Sequence, residues 1–216
     1  MDSFLTFVQE NWAVISANGW QHIWLVIQSL FFATIIGVVV AVLVYRSNSA
    51  SGTVNALSAV GLTIPSFAML GVLTGVIPNG VLLSVLALIF YGMLPIMRNA
   101  VVGLQGVDQT LIESAKGMGM NRFTTLRKLE IPMAWPVIMT GVRVSGQMLM
   151  GIAAIAAYVQ GPGLGNFIFS GISRTGGANA TESVVLGTVA IILLAIVLDL
   201  ALTLVKRVTT SRGIRV

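Results

Sequence analysis

The chain has 216 residues, of which 56% are hydrophobic and only 9% are charged, and its formal net charge is +5. Because soluble domains typically carry about 25% charged residues, this composition excludes a soluble single domain and predicts a protein that crosses the membrane several times. Cysteine is absent, which excludes disulfide bonds and thiolate metal sites.

Residues 1–22 are predicted to lie at the outer surface of the membrane and to stay in the mature protein. No Lys or Arg precedes Arg46, whereas a cleaved signal peptide begins with a basic region. Apolar residues recur here at helical spacing, which is typical of a short helix in the membrane interface. These residues are Phe4, Phe7, Val8, Trp12 and Ile15.

About five transmembrane helices are predicted in the membrane core, residues 23–205, so the expected fold class is all-α. Residues 23–45 are uncharged and long enough for one tilted span across roughly 30 Å of hydrocarbon. The uncharged stretch between Arg46 and Arg98 is too long for one helix, and Ile77-Pro78-Asn79-Gly80 has the composition of a tight turn between two. The fourth span, a Gly-rich connection and the fifth span are predicted at about 136–158, 160–182 and 184–205.

Basic residues determine the predicted orientation. Every Lys and Arg except Arg174 falls on one side of the predicted topology, and such residues are enriched on the cytoplasmic side of membrane proteins. The N-terminus and the Gly-rich connection are therefore expected outside, with the polar segment 105–136 and the tail 206–216 in the cytoplasm. The same asymmetry accounts for the basic composition, so we predict membrane lipid as a partner and not nucleic acid.

The polar segment 105–136 has the pattern of a compact helix-turn-helix. Asp108 is the expected N-cap of a first helix over residues 109–118. One face of that helix is apolar, as in a helix that fills a groove on a partner. Its apolar residues are Leu111, Ile112, Ala115 and Met118.

Glycine and proline set the predicted limits of the two helices in this segment. Gly117 and Gly119 are expected to end the first helix in a sharp turn, since glycine adopts left-handed conformations without a Cβ clash. Asn121 is the expected cap of the second helix. That helix should end before Pro132, because proline biases the residue before it towards extended geometry. On these features alone, an ordinary amphipathic loop in the interface is the alternative.

The spacing within the polar segment resembles a known signature. Glu113-Ser114-Ala115, three residues, Gly119, nine residues and then Leu129-x-Ile131-Pro132 is similar to the motif Glu-Ala-Ala-x3-Gly-x9-Ile-x-Leu-Pro. That motif marks permease subunits of binding-protein-dependent ABC importers. The departures are Ser for Ala, Leu for Ile and Ile for Leu, and the register is intact.

This resemblance implies a type I ABC importer permease, in which the first helix of the polar segment is a coupling helix that docks on an ATP-binding subunit. The implied docking residues are Glu113, Ser114, Ala115 and Gly119. The residues implied to close the motif structurally are Leu129, Ile131 and Pro132. The chain would then form one domain, 1–216, in a prokaryotic cytoplasmic (inner) membrane. Its implied partners are two cytoplasmic ATPases, a second permease subunit that is identical or paralogous, and an external solute-binding protein.

Further motifs between His22 and Leu200 resemble the osmoprotectant permeases of that family, which import glycine betaine, carnitine, choline and similar quaternary ammonium solutes. Permeases for methionine and for polar amino acids share the five-span plan and are the alternatives. The motifs are His22-Ile23-Trp24-Leu25-Val26, Ile64-Pro65-Ser66-Phe67-Ala68, Leu94-Pro95-Ile96-Met97-Arg98-Asn99, Gly106-Val107-Asp108, Gly117-Met118-Gly119-Met120 and Gly161-Pro162-Gly163-Leu164-Gly165.

No motif in the sequence indicates an enzyme. The phosphate-binding pattern Gly-x4-Gly-Lys-Ser/Thr is missing, so ATP and Mg²⁺ are expected on the partner ATPase and no cofactor on this chain. The single histidine, His22, has no His or Cys companions for a metal site, and we predict that it lies at the surface or in the interface. An intramembrane enzyme or a channel-like subunit is the distant alternative.

Aromatic and proline residues mark a candidate substrate path. The candidates are Pro65, Phe67, Tyr91 and Tyr158. Aromatic faces attract quaternary ammonium groups through cation–π interactions, which is why rings near the spans suit such a solute. Core packing explains each aromatic residue equally well.

One carboxylate falls inside a predicted span. Asp199 lies towards the cytoplasmic end of the fifth span, where an unpaired charge is costly. We predict a structural ion pair between Asp199 and either Arg143 or Arg98.

Overall fold

The computed structural model describes residues 2–210 and shows an all-α protein, as the sequence predicts. The described chain is 86% helical and has no strand. Its α-helices are α1 Asp2–Glu10, α2 Trp12–Val44, α3 Asn48–Thr63, α4 Ser66–Thr74, α5 Gly80–Gln105, α6 Gln109–Gly117, α7 Arg122–Thr125, α8 Ile131–Ala156, α9 Gly165–Ser173 and α10 Ala180–Thr209. A π-helical turn, Leu126–Glu130, joins α7 to α8, and a 3₁₀ turn, Ala157–Val159, follows α8.

Within residues 2–210, four helical segments are long and apolar enough to span a membrane. They are Trp12–Val44, Gly80–Gln105, Arg122–Val159 and Ala180–Thr209. Helices α3 and α4 pass the same test only when they are taken together, and they are bent by 85° relative to each other. The positions of the two ends of this pair decide whether it crosses the bundle.

The neighbouring helices show that α3 and α4 carry the chain across the bundle. At one end, the side-chain amide of Gln105 donates hydrogen bonds to the Tyr45 carbonyl (2.9 Å) and to the Ser51 hydroxyl (3.0 Å), so α2 and α5 finish where α3 begins. At the other end, Gly80 at the start of α5 lies against the Val159 carbonyl, just past α8. Because α2 and α5 run in the same direction, the chain between them has to return. The described chain therefore crosses five times, the broken pair included.

Helices α8 and α10 run antiparallel. The indole N–H of Trp135, near the start of α8, donates a hydrogen bond to the Thr209 hydroxyl at the end of α10 (2.7 Å). The Lys206 ammonium, also near the end of α10, lies 3.2 Å from the Thr140 hydroxyl. Helix α10 therefore ends on the same side as α2 and α5, and the start of α2 lies on the opposite side.

Pro65 causes the break between α3 and α4. Ile64 has extended backbone angles (φ −66°, ψ 123°), as expected for the residue before a proline. Its carbonyl, released from the helix, accepts a hydrogen bond from the hydroxyl of Tyr91 (2.9 Å), which lies near the middle of α5. The break is thus at mid-bundle. The sequence predicted one unbroken second span, and this is wrong because proline removes a helical N–H and crowds the carbonyl four residues before it.

The turn predicted at Ile77–Gly80 is confirmed. Helix α4 ends at Thr74 and α5 begins at Gly80. The Asn79 side chain accepts a hydrogen bond from the Leu82 N–H (2.9 Å) and so caps α5. Glycine is required at position 80, since a Cβ there would lie 2.3 Å from the backbone oxygen of Val159.

Helix α2 begins at Trp12, well before the predicted first span at residue 23. The predicted outer segment 1–22 is therefore divided between α1, which ends at Glu10, and the first turns of α2. No proline or charged residue stands between Trp12 and Ile23 to stop the helix. The apolar face of this region also packs on protein, in a buried cluster that comprises Phe7, Ile15, Leu164, Phe167, Leu186 and Ile191.

The Gly-rich connection 160–182 contains a helix, α9, which the sequence analysis did not predict. Two glycines allow α9 to pack closely on α8 and α2. A Cβ at Gly165 would lie 2.0 Å from the Ala154 carbonyl oxygen, and Gly163, with a φ of +123°, lies directly against His22. The fifth span follows as α10 and begins at Ala180.

Helices α2, α5 and α8 form the centre of the bundle. Gly92 of α5 lies between the other two, since a Cβ there would be 3.0 Å from the side chains of both Ala33 and Leu149. Small residues of this kind let membrane helices approach closely. Helix α10 lies at the side, and only 17% of its most apolar stretch is buried within the chain. Most of the α10 surface is therefore available to lipid or to a second protein.

The ion pair predicted for Asp199 is confirmed with Arg143 as its partner. The Arg143 guanidinium donates to both carboxylate oxygens of Asp199 (2.8 and 2.9 Å). The side-chain amide of Gln147 donates a further hydrogen bond to Asp199 (3.0 Å). The pair links α8 to α10 inside their spans, and Arg98, the other candidate, is exposed elsewhere on α5.

Replacing Asp199 by Ala should lower the stability of the folded protein. The change leaves Arg143 inside a span without its counter-charge; both side chains are partly exposed, so we expect a loss of about 1–3 kcal/mol, below the cost of breaking a fully buried pair. The thermal midpoint of the purified protein in detergent measures this loss. Asp199→Asn keeps one acceptor oxygen for Arg143 and Gln147 but loses the hydrogen bond to the second oxygen, so it should lose less stability than the Ala variant. A folded Asp199→Asn protein without transport activity would show that the carboxylate is functional and not structural.

Candidate functional site

The first helix of the polar segment forms as predicted. Helix α6 is capped by Asp108, whose carboxylate accepts hydrogen bonds from the Thr110 backbone N–H (2.8 Å) and from the Thr110 hydroxyl. The hydroxyl bond first, and then the backbone bond, lower the pKa of Asp108, so the cap is charged at neutral pH. A negative charge at this position also complements the positive end of the helix dipole.

Gly119 makes the turn that ends α6. Its φ is +82°. Its N–H donates to the Lys116 carbonyl (2.9 Å), and the Met120 N–H donates to the Ala115 carbonyl (3.0 Å). These two hydrogen bonds form a Schellman motif, which places a left-handed residue at the position of Gly119. Gly117 is still within the helix, so the conformational requirement falls on Gly119.

The second helix of the polar segment does not end at Pro132 and is continuous with the fourth span. Asn121 caps α7 as predicted, because its side chain accepts a hydrogen bond from the Thr124 N–H (2.9 Å). The N–H of Ile131 then bonds to the Leu126 carbonyl, five residues back, in the π-helical turn. Pro132 stands in the first turn of α8, directly after this wider turn. The wider turn provides space for the proline ring, so the predicted proline stop is wrong.

The motif residues divide into an exposed set and a buried or half-buried set. The exposed residues are Glu113, Ser114, Gly119 and Pro132. The buried or half-buried residues are Ala115, Leu129 and Ile131. The apolar stripe of α6 divides in the same way, since Ile112 packs inward while Leu111 and Met118 face out. The outer face of α6 thus combines the Glu113 carboxylate with exposed apolar side chains, a combination that suits contact with a partner.

A buried carboxylate that the sequence analysis missed lies behind the polar segment. Glu130, in the π-helical turn, is 1% exposed. It accepts hydrogen bonds from the Tyr45 hydroxyl (2.5 Å) and from the Arg46 guanidinium (2.8 Å). Gln105, at the other end of the segment, donates to the Tyr45 carbonyl (2.9 Å). We name these four residues, Tyr45, Arg46, Gln105 and Glu130, the junction clamp. The available sequence signal was an acidic residue inside the otherwise apolar Leu129-Glu130-Ile131-Pro132.

An open cleft of about 870 Å³ lies between α6 and the junction clamp. Three cationic side chains line it, those of Arg46, Lys116 and Arg122, and Glu130 is the one carboxylate among its described lining residues. The cleft separates much of α6 from the ends of the spans. Helix α6 is therefore held chiefly by its two connections and by its buried side chains.

The candidate path residues lie in two places. The rings of Phe67 and Tyr158 pack with centroids 4.7 Å apart, and Tyr158 also contacts Phe169 of α9 (5.7 Å), a ring that the sequence analysis did not single out. Tyr158 is 60% exposed, so this cluster opens to the surface near the end of α8 away from the polar segment. Pro65 and Tyr91 belong to the mid-bundle break, where Pro65 is exposed and Tyr91 is buried.

His22 is fully buried, which corrects the surface position predicted for it. Because α2 begins at Trp12, His22 lies within that helix and not at its start. Its Nε2 is 3.3 Å from the Met150 carbonyl of α8, and its ring lies against Gly163. Among the residues that the structure describes, no group of three or more His, Asp or Glu side chains is placed to hold a metal ion. His22 thus packs α2 against α8 and the Gly-rich connection.

Known proteins resemble this chain in both sequence and fold. Residues 33–210 match the family described as binding-protein-dependent transport system inner membrane component. The glycine betaine/carnitine/choline transport system permease protein OpuCB of Bacillus subtilis (strain 168) is 33% identical over 215 residues, which cover 100% of this chain and 97% of the relative. The osmoprotectant import permease protein OsmW of Salmonella typhimurium (strain LT2) is 36% identical over 214 residues, covering 97% and 98%.

The fold matches that of a solved transporter. A structure of the MetNI methionine ABC transporter in an inward-facing conformation aligns with a TM-score of 0.79 at 22% identity, covering 91% of this chain and 96% of that one. A second structure of the same transporter aligns with a TM-score of 0.75 at 21% identity. At such identities the structural likeness shows the fold alone. The family assignment rests on the family match and on the relatives, which are similar in sequence. The chain therefore belongs to the inner-membrane permease components of binding-protein-dependent ABC importers, in their osmoprotectant group.

Proposed function

We propose that the chain is the permease subunit of an ATP-driven importer of quaternary ammonium osmoprotectants such as glycine betaine, carnitine or choline. The relatives are permeases for such solutes, which supports this solute class, and the similarity extends over nearly the whole chain. Two partner ATPases bind Mg²⁺-ATP and supply the energy. A second permease subunit, identical or paralogous, and an external solute-binding protein complete the transporter.

The broken helix α3–α4 is the observation that carries this proposal. In lipid, backbone polar groups have to be satisfied internally, so irregular backbone at membrane depth occurs only against protein or beside a water-filled cavity. Thr63, Ile64 and Pro65 are exposed in the single chain. The hydrogen bond from Tyr91 to Ile64 nevertheless holds them at mid-bundle. The break therefore faces the solute path and the second permease subunit, and not lipid.

The aromatic rings near the far end of α8, two of them exposed and the third, Phe169, half-buried, suit the proposed solute. Phe67, Tyr158 and Phe169 come from three different elements and present aromatic surface at one end of the bundle. A quaternary ammonium group is attracted to such faces within about 6 Å of a ring centroid. These rings would receive the solute from the binding protein, which carries most of the selectivity.

Coupling to the ATPases is proposed to run through α6. Its exposed face, with Glu113 and Ser114, docks on the ATPase, while Ala115 and Gly119 set the packing and the end of the helix. Leu129, Ile131 and Pro132 join the segment to α8. Closure of the ATPases on ATP draws the two α6 helices together and opens the path outward, and hydrolysis restores the inward-open state. This requires α6 and the tail 206–216 in the cytoplasm and the N-terminus outside, the orientation that the basic residues predict.

Uptake by the reconstituted transporter tests this function. The complete complex, with its binding protein, should accumulate labelled glycine betaine, carnitine or choline in liposomes only when ATP is supplied on the α6 side. Labelled methionine and a polar amino acid serve as competing solutes. Accumulation of an amino acid in place of the quaternary ammonium solutes would support the other importer class. Equilibration without ATP would indicate a channel-like subunit and contradict the proposal.

A further inference from the structure

We propose that the junction clamp transmits the movement of α6 to the broken helix α3–α4. This inference rests on the proposed function, because it concerns how movement driven by the ATPases reaches the solute path. In it, Glu130 and Arg46 are positioning residues, since they act through the helices that they join and do not touch the solute.

Both connections of α6 are tied to the same short stretch of chain. On the entry side, Gln105 bonds to the Tyr45 carbonyl (2.9 Å) and to the Ser51 hydroxyl (3.0 Å). On the exit side, Glu130 bonds to the Tyr45 hydroxyl (2.5 Å) and to Arg46 (2.8 Å). Residues 45–51 are the junction between α2 and α3. Because the open cleft separates much of α6 from the bundle, a displacement of α6 passes along its two connections, and these ties carry it from there to residues 45–51.

The junction leads directly to the break. Helix α3 starts at Asn48, where the Ser47 hydroxyl accepts a hydrogen bond from the Ala50 N–H, and it runs without interruption to Thr63. Ile64 and Pro65 then form the bend of 85° to α4. A helix of this length moves as one body, so a shift at residues 45–51 changes the position or the angle of the break.

The chemistry of the clamp also indicates a moving joint. Burying a carboxylate costs free energy, and well-packed apolar residues usually stabilise a protein at least as well as a buried ion pair. What an ion pair adds is a contact that fixes the relative direction and register of the two segments that it joins. Glu130 is 1% exposed but the Arg46 side chain is 46% exposed. Arg46 faces the cleft and can stay hydrated when the pair separates, while the buried Glu130 carboxylate keeps its hydrogen bond from the Tyr45 hydroxyl, so separation leaves neither charge without a partner.

Glu130→Gln and Tyr45→Phe test the proposal, measured as ATP hydrolysed per solute molecule transported by the complete transporter in liposomes. Glu130→Gln removes the charge. Tyr45→Phe removes only the hydroxyl, which donates a hydrogen bond to Glu130 and accepts one from Arg46 (2.6 Å). For Glu130→Gln this ratio should rise at least about fivefold, the lower end of typical coupling between sites, with hydrolysis retained. Tyr45→Phe should raise it less. The double variant Arg46→Gln/Glu130→Gln should be no worse than the more severe single variant, because the residues act as a unit.

Lys128→Gln is the matched control, since Lys128 is an exposed charged residue two positions before Glu130 in the same turn. Its ratio should stay that of the unmodified transporter. The proposal is overturned if Lys128→Gln raises the ratio as much as Glu130→Gln does. It is also overturned if Tyr45→Phe leaves the ratio unchanged, or if hydrolysis and uptake fall together in the clamp variants. Absence of ATP-dependent uptake in the unmodified transporter would instead refute the proposed function itself.

Discussion

Replacing Gly119 by Val should strongly reduce coupled uptake in a protein that still inserts into the membrane. Gly119 has a φ of +82°, where a β-branched residue is strained by about 1–3 kcal/mol, and relief of that strain would open the turn that ends α6. Because about 1.4 kcal/mol corresponds to tenfold in an equilibrium, this strain predicts that uptake falls by about fivefold or more. The measurement is ATP-dependent accumulation in liposomes, normalised to inserted protein, beside ATP hydrolysis.

Two matched variants separate the conformational cause from crowding. A Cβ at Gly119 meets nothing within 4 Å, so added size by itself should be tolerated. Gly119→Asn should therefore retain much of the uptake, since Asn tolerates the left-handed region. Gly117→Ala, in the helical position two residues earlier, also meets nothing within 4 Å and should be close to unmodified. Normal transport by Gly119→Val would count against rigid docking of α6.

Replacing Gly165 by Ala should prevent correct folding. The added Cβ would lie 2.0 Å from the Ala154 carbonyl oxygen and 2.8 Å from its carbon, and both are backbone atoms of α8 that cannot rotate away. Overpacking a well-packed core costs about 1–3 kcal/mol and occasionally more, and a backbone clash belongs at the upper end of that range. We expect a large loss of protein from the membrane fraction and a lower thermal midpoint for whatever remains.

Gly151→Ala is the control for this change. Gly151 lies in α8, three residues before Ala154, and a Cβ there meets nothing within 4 Å. The variant should match the unmodified protein in membrane level and in thermal midpoint. If Gly165→Ala were equally stable, α9 would have to lie farther from α8 than the structure places it.

Local signals were sufficient for several parts of the candidate site. The caps by Asp108 and Asn121 and the left-handed turn at Gly119 depend on a few neighbouring residues, and each is confirmed in the structure. The prediction that the second helix ends before Pro132 is wrong, and it too was made from a few neighbouring residues. Proline disfavours a regular α-helix, but a π-helical turn can precede it, and the sequence does not state which outcome is favoured. The functional roles of the motif residues stay predictions until transport is measured.

Long-range contacts explain what the sequence analysis missed. The sequence predicts a surface or interfacial His22 because the residue stands at the start of the predicted first span, whereas its partners, Met150 and Gly163, come from distant elements. Phe169 belongs to the aromatic cluster because α9 brings its ring against Tyr158, which follows α8. In each case the sequence around one side chain contains no pattern that predicts its partners. Whether the side chain is buried depends on how the helices pack.

Composition and charge placement were enough to establish a multi-span membrane protein, five crossings and a polar segment on one side. They suffice because hydrocarbon excludes charge and fixes the length of a span, which are constraints on the sequence itself. The spacing of the Glu113 motif likewise identified the family before any fold was known. Only the tertiary structure shows that the second crossing is broken at mid-bundle and that Glu130 is buried. Pro65 causes the break, but its place at mid-bundle is held by the Tyr91 hydroxyl, which donates a hydrogen bond to the freed Ile64 carbonyl. The buried Glu130 depends on Arg46, 84 residues away. Contacts over such distances are set by how helices pack, which no local pattern records.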